Sequence, residues 1–366
     1  MRFLWLICLP ALLYQCLAIF ASLRQLSRRK AVPWTAAVSV LKPLRGLDPN
    51  TAEAFASQMD QQHPQFEVLF GAREADDPAA LEVARLKSER PQAPVSLITG
   101  AFDAPNSKIG LLLELNRHAR YPLRVVNDSD IKVDSRYLAA VTAPLADPTV
   151  GVVTCLYRVK AHTVEAAWEA LGIMTDFMPS TMVAQLIGVR EFGLGSTLAF
   201  RGEDLEKAGG FASFADYLAD DYQLAKRITA LGKRVILSTY VVETTLGDAT
   251  WAGVWRHQLR WARTIRLSKG AGYLGLPITQ AGLWIALAWL SGQEALAVAL
   301  AALRILSAFS AGGLVLRSPL AATFCWLAPL WDLYSFVIWV ASYCGRTVRW
   351  RDRKLTIGPN GRIIKE

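Results

Sequence analysis

Four short signatures in this chain carry residue types that can do chemistry: Asp76-Asp77-Pro78, Asp128-Ser129-Asp130, Asp220-Asp221 and His257-Gln258-Leu259-Arg260-Trp261. Asp128 and Asp130 set two carboxylates one residue apart. Hard oxygen donors of this kind suit Mg2+ or Mn2+, which keep some waters and take phosphate oxygens. A divalent ion there could bridge a diphosphate and offset charge on a leaving group. The same Asn-Asp-Ser run also fits an ordinary turn with capping carboxylates. Asp77 before Pro78 has two readings: an acceptor for the N–H of a nucleoside base, or the N-cap of a helix that opens on proline. Asp220-Asp221 heads the amphipathic run Tyr222–Ile228. Acids in a first turn compensate the helix dipole, and a carboxylate there could also act as a general base. Asp221 is the expected base, with Asp220 raising its pKa by like-charge repulsion. Arg260 could pair with a departing diphosphate, and the face of Trp261 could stack on a sugar or line an acceptor channel. Arg263 and Arg266 read as the basic anchors of an interfacial amphipathic helix. The four histidines (His63, His118, His162, His257) show no ligand spacing.

Positioning these side chains requires a scaffold, and the pattern between about 31 and 270 supplies one. Short apolar runs predict strands at Ala37–Leu41, Glu67–Gly71, Pro94–Ile98, Arg124–Asn127, Gly151–Tyr157, Ser196–Phe200 and Arg234–Ser238. Helical stretches fall near Thr51–Gln61, Pro78–Arg90, Ser107–Ala119 and Ser135–Ala143. This alternation predicts an α/β domain with parallel strands. In such sheets ligands bind beyond the carboxyl ends of the strands. Asp76-Asp77 and Asp128-Ser129-Asp130 both follow a strand and are expected to face one crevice. Gly193-Leu194-Gly195-Ser196 reads as a loop whose backbone approaches a ligand, and it does not match a phosphate-binding loop.

The ends are different in kind. The chain has 366 residues, a net charge of +9, 52% hydrophobic residues and 12 tryptophans, and the apolar excess lies at its two ends. Phe3 to Leu23 is uncharged and long enough to cross a bilayer. Arg24, Arg28, Arg29 and Lys30 follow it, whereas a signal peptide carries its charge first. An uncleaved anchor with residue 30 onward in the cytoplasm is expected; a cleaved signal peptide is the alternative. Three more apolar segments run at about Tyr273–Leu290, Ala295–Leu316 and Leu320–Cys344. The second carries Arg304 and the third Asp332, charges that should face a partner or a cavity. The tail is basic again, at Arg346, Arg349, Arg351, Arg353 and Lys354. Three crossings would leave that tail outside, against its charge, so one segment should be re-entrant or interfacial: the Pro277-interrupted first or the Pro329/Asp332 third. The expected divisions are an anchor (1–30), a cytoplasmic catalytic domain (31–270), and closing membrane segments with a basic tail (271–366). Five cysteines without a C-x-x-C pair exclude a zinc motif and a disulfide framework. The positive charge suits anionic headgroups and a nucleotide diphosphate. No basic run interleaves with aromatics in the soluble part, which argues against nucleic acid.

Taken in order, these residues resemble the inverting, family-2-type membrane glycosyltransferases. The resemblance is greatest to ceramide glucosyltransferases and the bacterial hopanoid-associated glycosyltransferases. It runs through Leu41–Asn50, Asp76-Asp77-Pro78-Ala79, Pro105-Asn106-Ser107-Lys108, Asn127–Asp130, Ala208–Phe211, Tyr217–Tyr222, Arg260-Trp261 and the basic tail Arg349–Leu355. It implies a GT-A fold, a Rossmann-like nucleotide-diphospho-sugar transferase domain, flanked by transmembrane helices. It also implies Asp77 at the uridine of a UDP-sugar, with Asn106, Lys108, Asp128 and Arg260 on the donor. Asp128 and Asp130 would hold a divalent cation, and Asp221 would be the base. Trp261 and His257 would lie on the acceptor or channel side. His257 departs from the Gln or Arg of the family pattern. Asp130 is acidic where the animal ceramide enzymes have Gly, which leans toward the hopanoid branch. The expected activity is transfer of a hexose or N-acetylhexosamine from a UDP-sugar to a membrane lipid hydroxyl, at a bacterial inner membrane. A processive polysaccharide synthase and a non-catalytic lipid-binding scaffold are the alternatives.

Overall fold

The computed structural model describes residues 4–29, 31–32, 34–48, 50–350 and 353–365. Phe3, Lys30, Pro49, Arg351 and Asp352, all used in the sequence reading, lie outside the described residues.

The elements run in this order: α1 (Leu4–Ser27), β1 (Val38–Pro43), α2 (Thr51–Met59), β2 (Phe66–Ala72), α3 (Pro78–Glu89), β3 (Val95–Thr99), α4 (Ser107–His118), β4 (Leu123–Val126), α5 (Tyr137–Thr142), β5 (Val150–Lys160), α6 (Val164–Gly172), α7 (Met178–Leu186), β6 (Leu198–Arg201), α8 (Gly202–Lys207), α9 (Asp220–Thr229) and β7 (Arg234–Thr245). Then come α10 (Trp251–Lys269), α11 (Ala281–Leu290), α12 (Glu294–Ala308), α13 (Pro319–Phe324), α14 (Ala328–Ser342), β8 (Thr347–Trp350), β9 (Arg353–Ile357) and β10 (Ile363–Lys365). They form two compact units. One contains residues 29–157 and 189–245; the other contains residues 1–28, 158–188 and 246–366.

The first unit is a mixed α/β domain on a seven-stranded sheet of order β3-β2-β1-β4-β6-β5-β7. β1 is parallel to β2 and β4, and β2 to β3. The prediction of parallel strands fails at β6, which runs antiparallel to both β4 and β5. The reason is that a strand buried on both faces is apolar throughout whichever way it points. The core joins Leu41, Leu69, Val126, Val152 and Phe200 of the strands to Ile109, Leu112 and Leu115 of α4 and to Leu224 and Ile228 of α9. Each such side chain contributes roughly 1.5–3 kcal/mol on burial. α4 lies so near β2 that a Cβ on Gly71 would stand 2.9 Å from Leu115. That close packing seats α4, which carries Lys108 in its first turn, on β2.

The second unit holds the apolar helices. Four stretches are long and apolar enough to cross a membrane: Leu6–Ser27, Trp251–Leu290, Glu294–Val315 and Pro319–Ser342. The chain is an integral membrane protein by this criterion. The two charges expected to need partners find each other. The Arg304 guanidinium grips Asp332 in a fork, Nε to Oδ2 at 2.8 Å and Nη2 to Oδ1 at 2.7 Å, while Nη1 donates to the Thr175 carbonyl at 2.8 Å. Arg304 and Asp332 are both buried, and Asp332 also accepts the Gly282 N–H at 2.9 Å. A hairpin sheet of order β10-β9-β8 closes the chain; sequence patterning did not reveal it.

Candidate active site

Three of the predicted acids meet in the α/β unit. Asp128 begins the loop after β4, and Asp220 and Asp221 open α9. Lys108, in the first turn of α4, joins them: its ammonium lies 2.8 Å from Asp128 Oδ1 and 2.9 Å from Asp220 Oδ2. Burial works against the Lys108 charge, but the two carboxylates hold its pKa above the ordinary lysine value. Gly195 makes the second link. Its N–H donates to Asp221 Oδ2 at 3.0 Å, and its carbonyl accepts the Asp128 N–H at 3.1 Å. A Cβ there would stand 2.7 Å from Asp128 Oδ2, so the close approach requires glycine. The loop expected to press its backbone toward a ligand thus presses it between two acids.

Asp221 also accepts the N–H of Tyr222 at 2.7 Å. Burial, and then repulsion from Asp220, push its carboxyl up to about 7, against the pull of Lys108. Asp130, in the same loop, takes the hydroxyl of Thr244. Burial and the nearby Asp128 raise its pKa as well.

Sequence reasoning gave no role to Lys42, yet this lysine is fully buried at the end of β1. Its ammonium donates to Asn127 Oδ1 at 2.9 Å and to the Asp128 carbonyl at 2.8 Å. Burial brings its pKa down to about 7, while Asp130 and Asp128 resist that fall. The available signal was a lysine closing an otherwise apolar strand. Thr244 was also missed, because its contact with Asp130 spans 114 positions.

Asp77 does what its cap reading requires: it caps α3 through the Ala79 N–H at 2.8 Å. It also accepts the Gly46 N–H, at 3.0 and 3.1 Å, which ties the loop after β1 to the loop after β2. Asn106 caps α4 by accepting from Lys108 N (3.0 Å) and Ile109 N (3.4 Å), and its amide donates to the Tyr217 carbonyl at 2.8 Å. With Asn106 fully buried, its effect on the site runs through Lys108 and the loop that leads to Asp220.

The remaining predicted residues lie on α10, in the membrane unit. Nδ1 of His257 meets Oε1 of the buried Glu169 at 2.5 Å, and Gln258 donates to the same oxygen at 2.8 Å. The His257 ring packs 4.9 Å from that of Trp261, whose other neighbour is Phe177 at 5.4 Å. Arg260 lines a basic cavity with Arg256 and Arg263.

The residues suit a divalent cation by their chemistry. Four carboxyl groups (Asp128, Asp130, Asp220, Asp221) stand among two lysine amines (Lys42, Lys108), a surplus of hard oxygen donors. Among the described residues no group of three or more His, Cys, Asp or Glu is arranged to hold a metal by itself. A hard cation here would need phosphate or water oxygens to complete its shell.

Residues 3–363 match the family model described as Glycosyl transferase family 21. The chain belongs to that family. Membership places it among glycosyltransferase enzymes. Ceramide glucosyltransferase 1 of Caenorhabditis elegans is 27% identical over 255 residues, 69% of this chain and 54% of its own length. Ceramide glucosyltransferase 3 of the same organism is 28% identical over 207 residues, 56% of this chain and 45% of its own. The chain therefore spans about half the length of the curated relatives it matches. Mannosyltransferase PcManGT from Pyrobaculum calidifontis, solved in complex with GDP-Man and Mn2+, superposes with a TM-score of 0.58 at 20% identity, covering 92% of this chain and 98% of that one. That likeness concerns the fold, and it bears out the expected α/β sheet flanked by membrane helices. The coarse part of the sequence resemblance, to ceramide-glucosyltransferase-like enzymes, is also borne out.

Proposed function

We propose that this family 21 glycosyltransferase moves a hexose or N-acetylhexosamine from a UDP-sugar to the hydroxyl of a membrane lipid of hopanoid-polyol or ceramide type, with inversion at the anomeric carbon. The observation that carries this reading is the convergence of Asp128, Asp220 and Asp221 on Lys108 and Gly195, beyond the carboxyl ends of β1, β2 and β4. In a single displacement, Asp221 takes the proton of the lipid hydroxyl as its oxygen bonds to the anomeric carbon. The bond from that carbon to the diphosphate breaks, and UDP leaves with the electron pair. A carboxylate whose pKa lies near neutrality is suited to that transfer. Lys108 pairs with Asp220 and Asp128 beside Asp221. Asp77 receives the base of the nucleotide, and Asn106 sets the loop and the helix start on which the donor rests. Arg260 meets the diphosphate, while Trp261 and the Glu169-held His257 border the acceptor.

A divalent cation, Mg2+ or Mn2+, would be held by Asp128 and Asp130, where it would offset charge on the diphosphate. The α/β unit faces the cytoplasm of a bacterial inner membrane, because Arg24, Arg28 and Arg29 follow the first span directly. One closing segment, the Pro277-interrupted first or the Pro329/Asp332 third, stays at the interface, so the other two make the remaining crossings and bring the basic tail back to the cytoplasmic side.

The test is transfer from UDP-sugars to ceramide and to hopanoid polyols by the purified protein in lipid, with products read by mass spectrometry. A single sugar on the lipid is the expected product. A polymer, or donor hydrolysis unaffected by any lipid hydroxyl, would overturn this assignment.

A further inference from the structure

Two charge patterns in the membrane unit break local rules, and they face each other. On α10, Arg256, Arg260 and Arg263 recur at spacings of four and three, so they share one side of the helix. Like charges at that spacing destabilise a helix. In the closing hairpin, Arg349 and Lys354 stand directly opposite each other across β8 and β9, again a destabilising arrangement. The two sets line one cavity of about 570 Å³, whose other lining residues among those described are uncharged. The volume is that of a small-ligand site.

Arg263 and its neighbour Arg266 tie α10 to the chain that runs from α14 into β8. Arg263 donates to the Thr347 carbonyl at 2.6 Å and to the Cys344 carbonyl at 2.6 Å, and Arg266 donates to the Gly345 carbonyl at 2.8 Å. Val348, Leu355 and Ile357 are buried, so the hairpin is anchored by an apolar face as well. The Nε of Arg263 is buried without an acceptor. Five cations around one space, with no acid among its described lining residues, match an anion of more than one charged oxygen. β8 starts five residues after α14 ends, and α14 closes the membrane span Pro319–Ser342. That places the cavity at the level of lipid headgroups rather than in the open solvent.

We propose that this cavity binds the phosphate of an anionic membrane lipid. The bound phosphate offsets repulsion within α10 and across the hairpin, and it couples the fold of the tail to the charge of the bilayer. Arg260 is shared with the donor reading, so Arg349 and Lys354 are the positions that separate the two. None of the readouts below needs turnover, which makes the outcome independent of the glycosyl-transfer assignment.

The experiment compares the full-length protein with an R349Q/K354Q variant, in micelles doped with phosphatidylcholine or with phosphatidylglycerol. Thermal unfolding and native mass spectrometry are the readouts. Phosphatidylglycerol should raise the Tm of the wild type by several degrees and remain bound in the mass spectrum, and phosphatidylcholine should do neither. The variant should unfold at or above the wild-type Tm in phosphatidylcholine, because its repulsive pair is gone, and should lose most of the phosphatidylglycerol gain. Equal gains in both proteins, or no gain in the wild type, overturn the proposal. So does a variant less stable than wild type in phosphatidylcholine. A gain reproduced by UDP or inorganic phosphate in phosphatidylcholine, and lost in the variant, would assign the cavity to a soluble phosphate and equally overturn the lipid proposal.

Discussion

Asp221 takes the backbone N–H of Gly195 at 3.0 Å, so the acid at the start of α9 is fixed to the loop that also grips Asp128. Its carboxyl is pushed up to about 7 by burial first and by Asp220 second. Transfer should therefore rise as pH climbs through about 7, because the proton acceptor is the ionised form. The sign for stability is opposite. The folded state binds the Asp221 proton more tightly than the unfolded chain does, so this group's contribution falls between the ordinary carboxylate pKa and about 7, then levels off. A pH–rate profile paired with unfolding at the same pH values checks both signs. Asp221→Asn should lower the rate by roughly 10²–10⁴-fold, the range for loss of general-base assistance; near-normal transfer would remove Asp221 from that role.

Lys108 is the cation between Asp128 and Asp220. Lys108→Met removes the charge that restrains the Asp221 pKa, so the acid limb of the rate profile should move to higher pH. A profile that only drops in height would mean that Lys108 acts on the substrate alone.

Gly195→Ala would force a methyl group to 2.7 Å from Asp128 Oδ2. The atom in the way is part of a short, paired side chain, so the loop itself has to shift. Loss of transfer with little change in Tm is expected, since the substitution displaces Asp128 without emptying the core. An unchanged rate would show that Asp128 need not stay where it is.

The surplus of carboxyl groups over lysine amines predicts a metal requirement. Chelation should lower transfer, and added Mn2+ or Mg2+ should restore it. Asp130→Asn should raise the metal concentration needed for half-maximal rate. A rate indifferent to chelator would remove the cation from the proposal.

Arg304 and Asp332 form a buried fork with no solvent to screen it. Removing one partner strands the other, at a cost of roughly 3–5 kcal/mol. Arg304→Met should therefore lower the melting temperature in detergent far more than it alters the donor KM. A variant as stable as wild type would show that the pair contributes little to the fold.

The sequence by itself determined the order of strands and helices around the acids, since apolar runs and cap residues such as Asp77 and Asn106 act locally. It also placed the apolar spans and showed that Arg304 and Asp332 needed partners. Only the tertiary structure decided who those partners are, because Arg304 meets Asp332 across 28 positions and Asp130 meets Thr244 across 114. The antiparallel course of β6 was equally hidden, since a doubly buried strand carries no mark of direction. Lys42 reads as one lysine among apolar neighbours until folding surrounds it with the Asn127 amide and the Asp128 carbonyl. Local chemistry is written in short spacings, whereas charge balance at a site belongs to groups that only the fold brings within reach of one another.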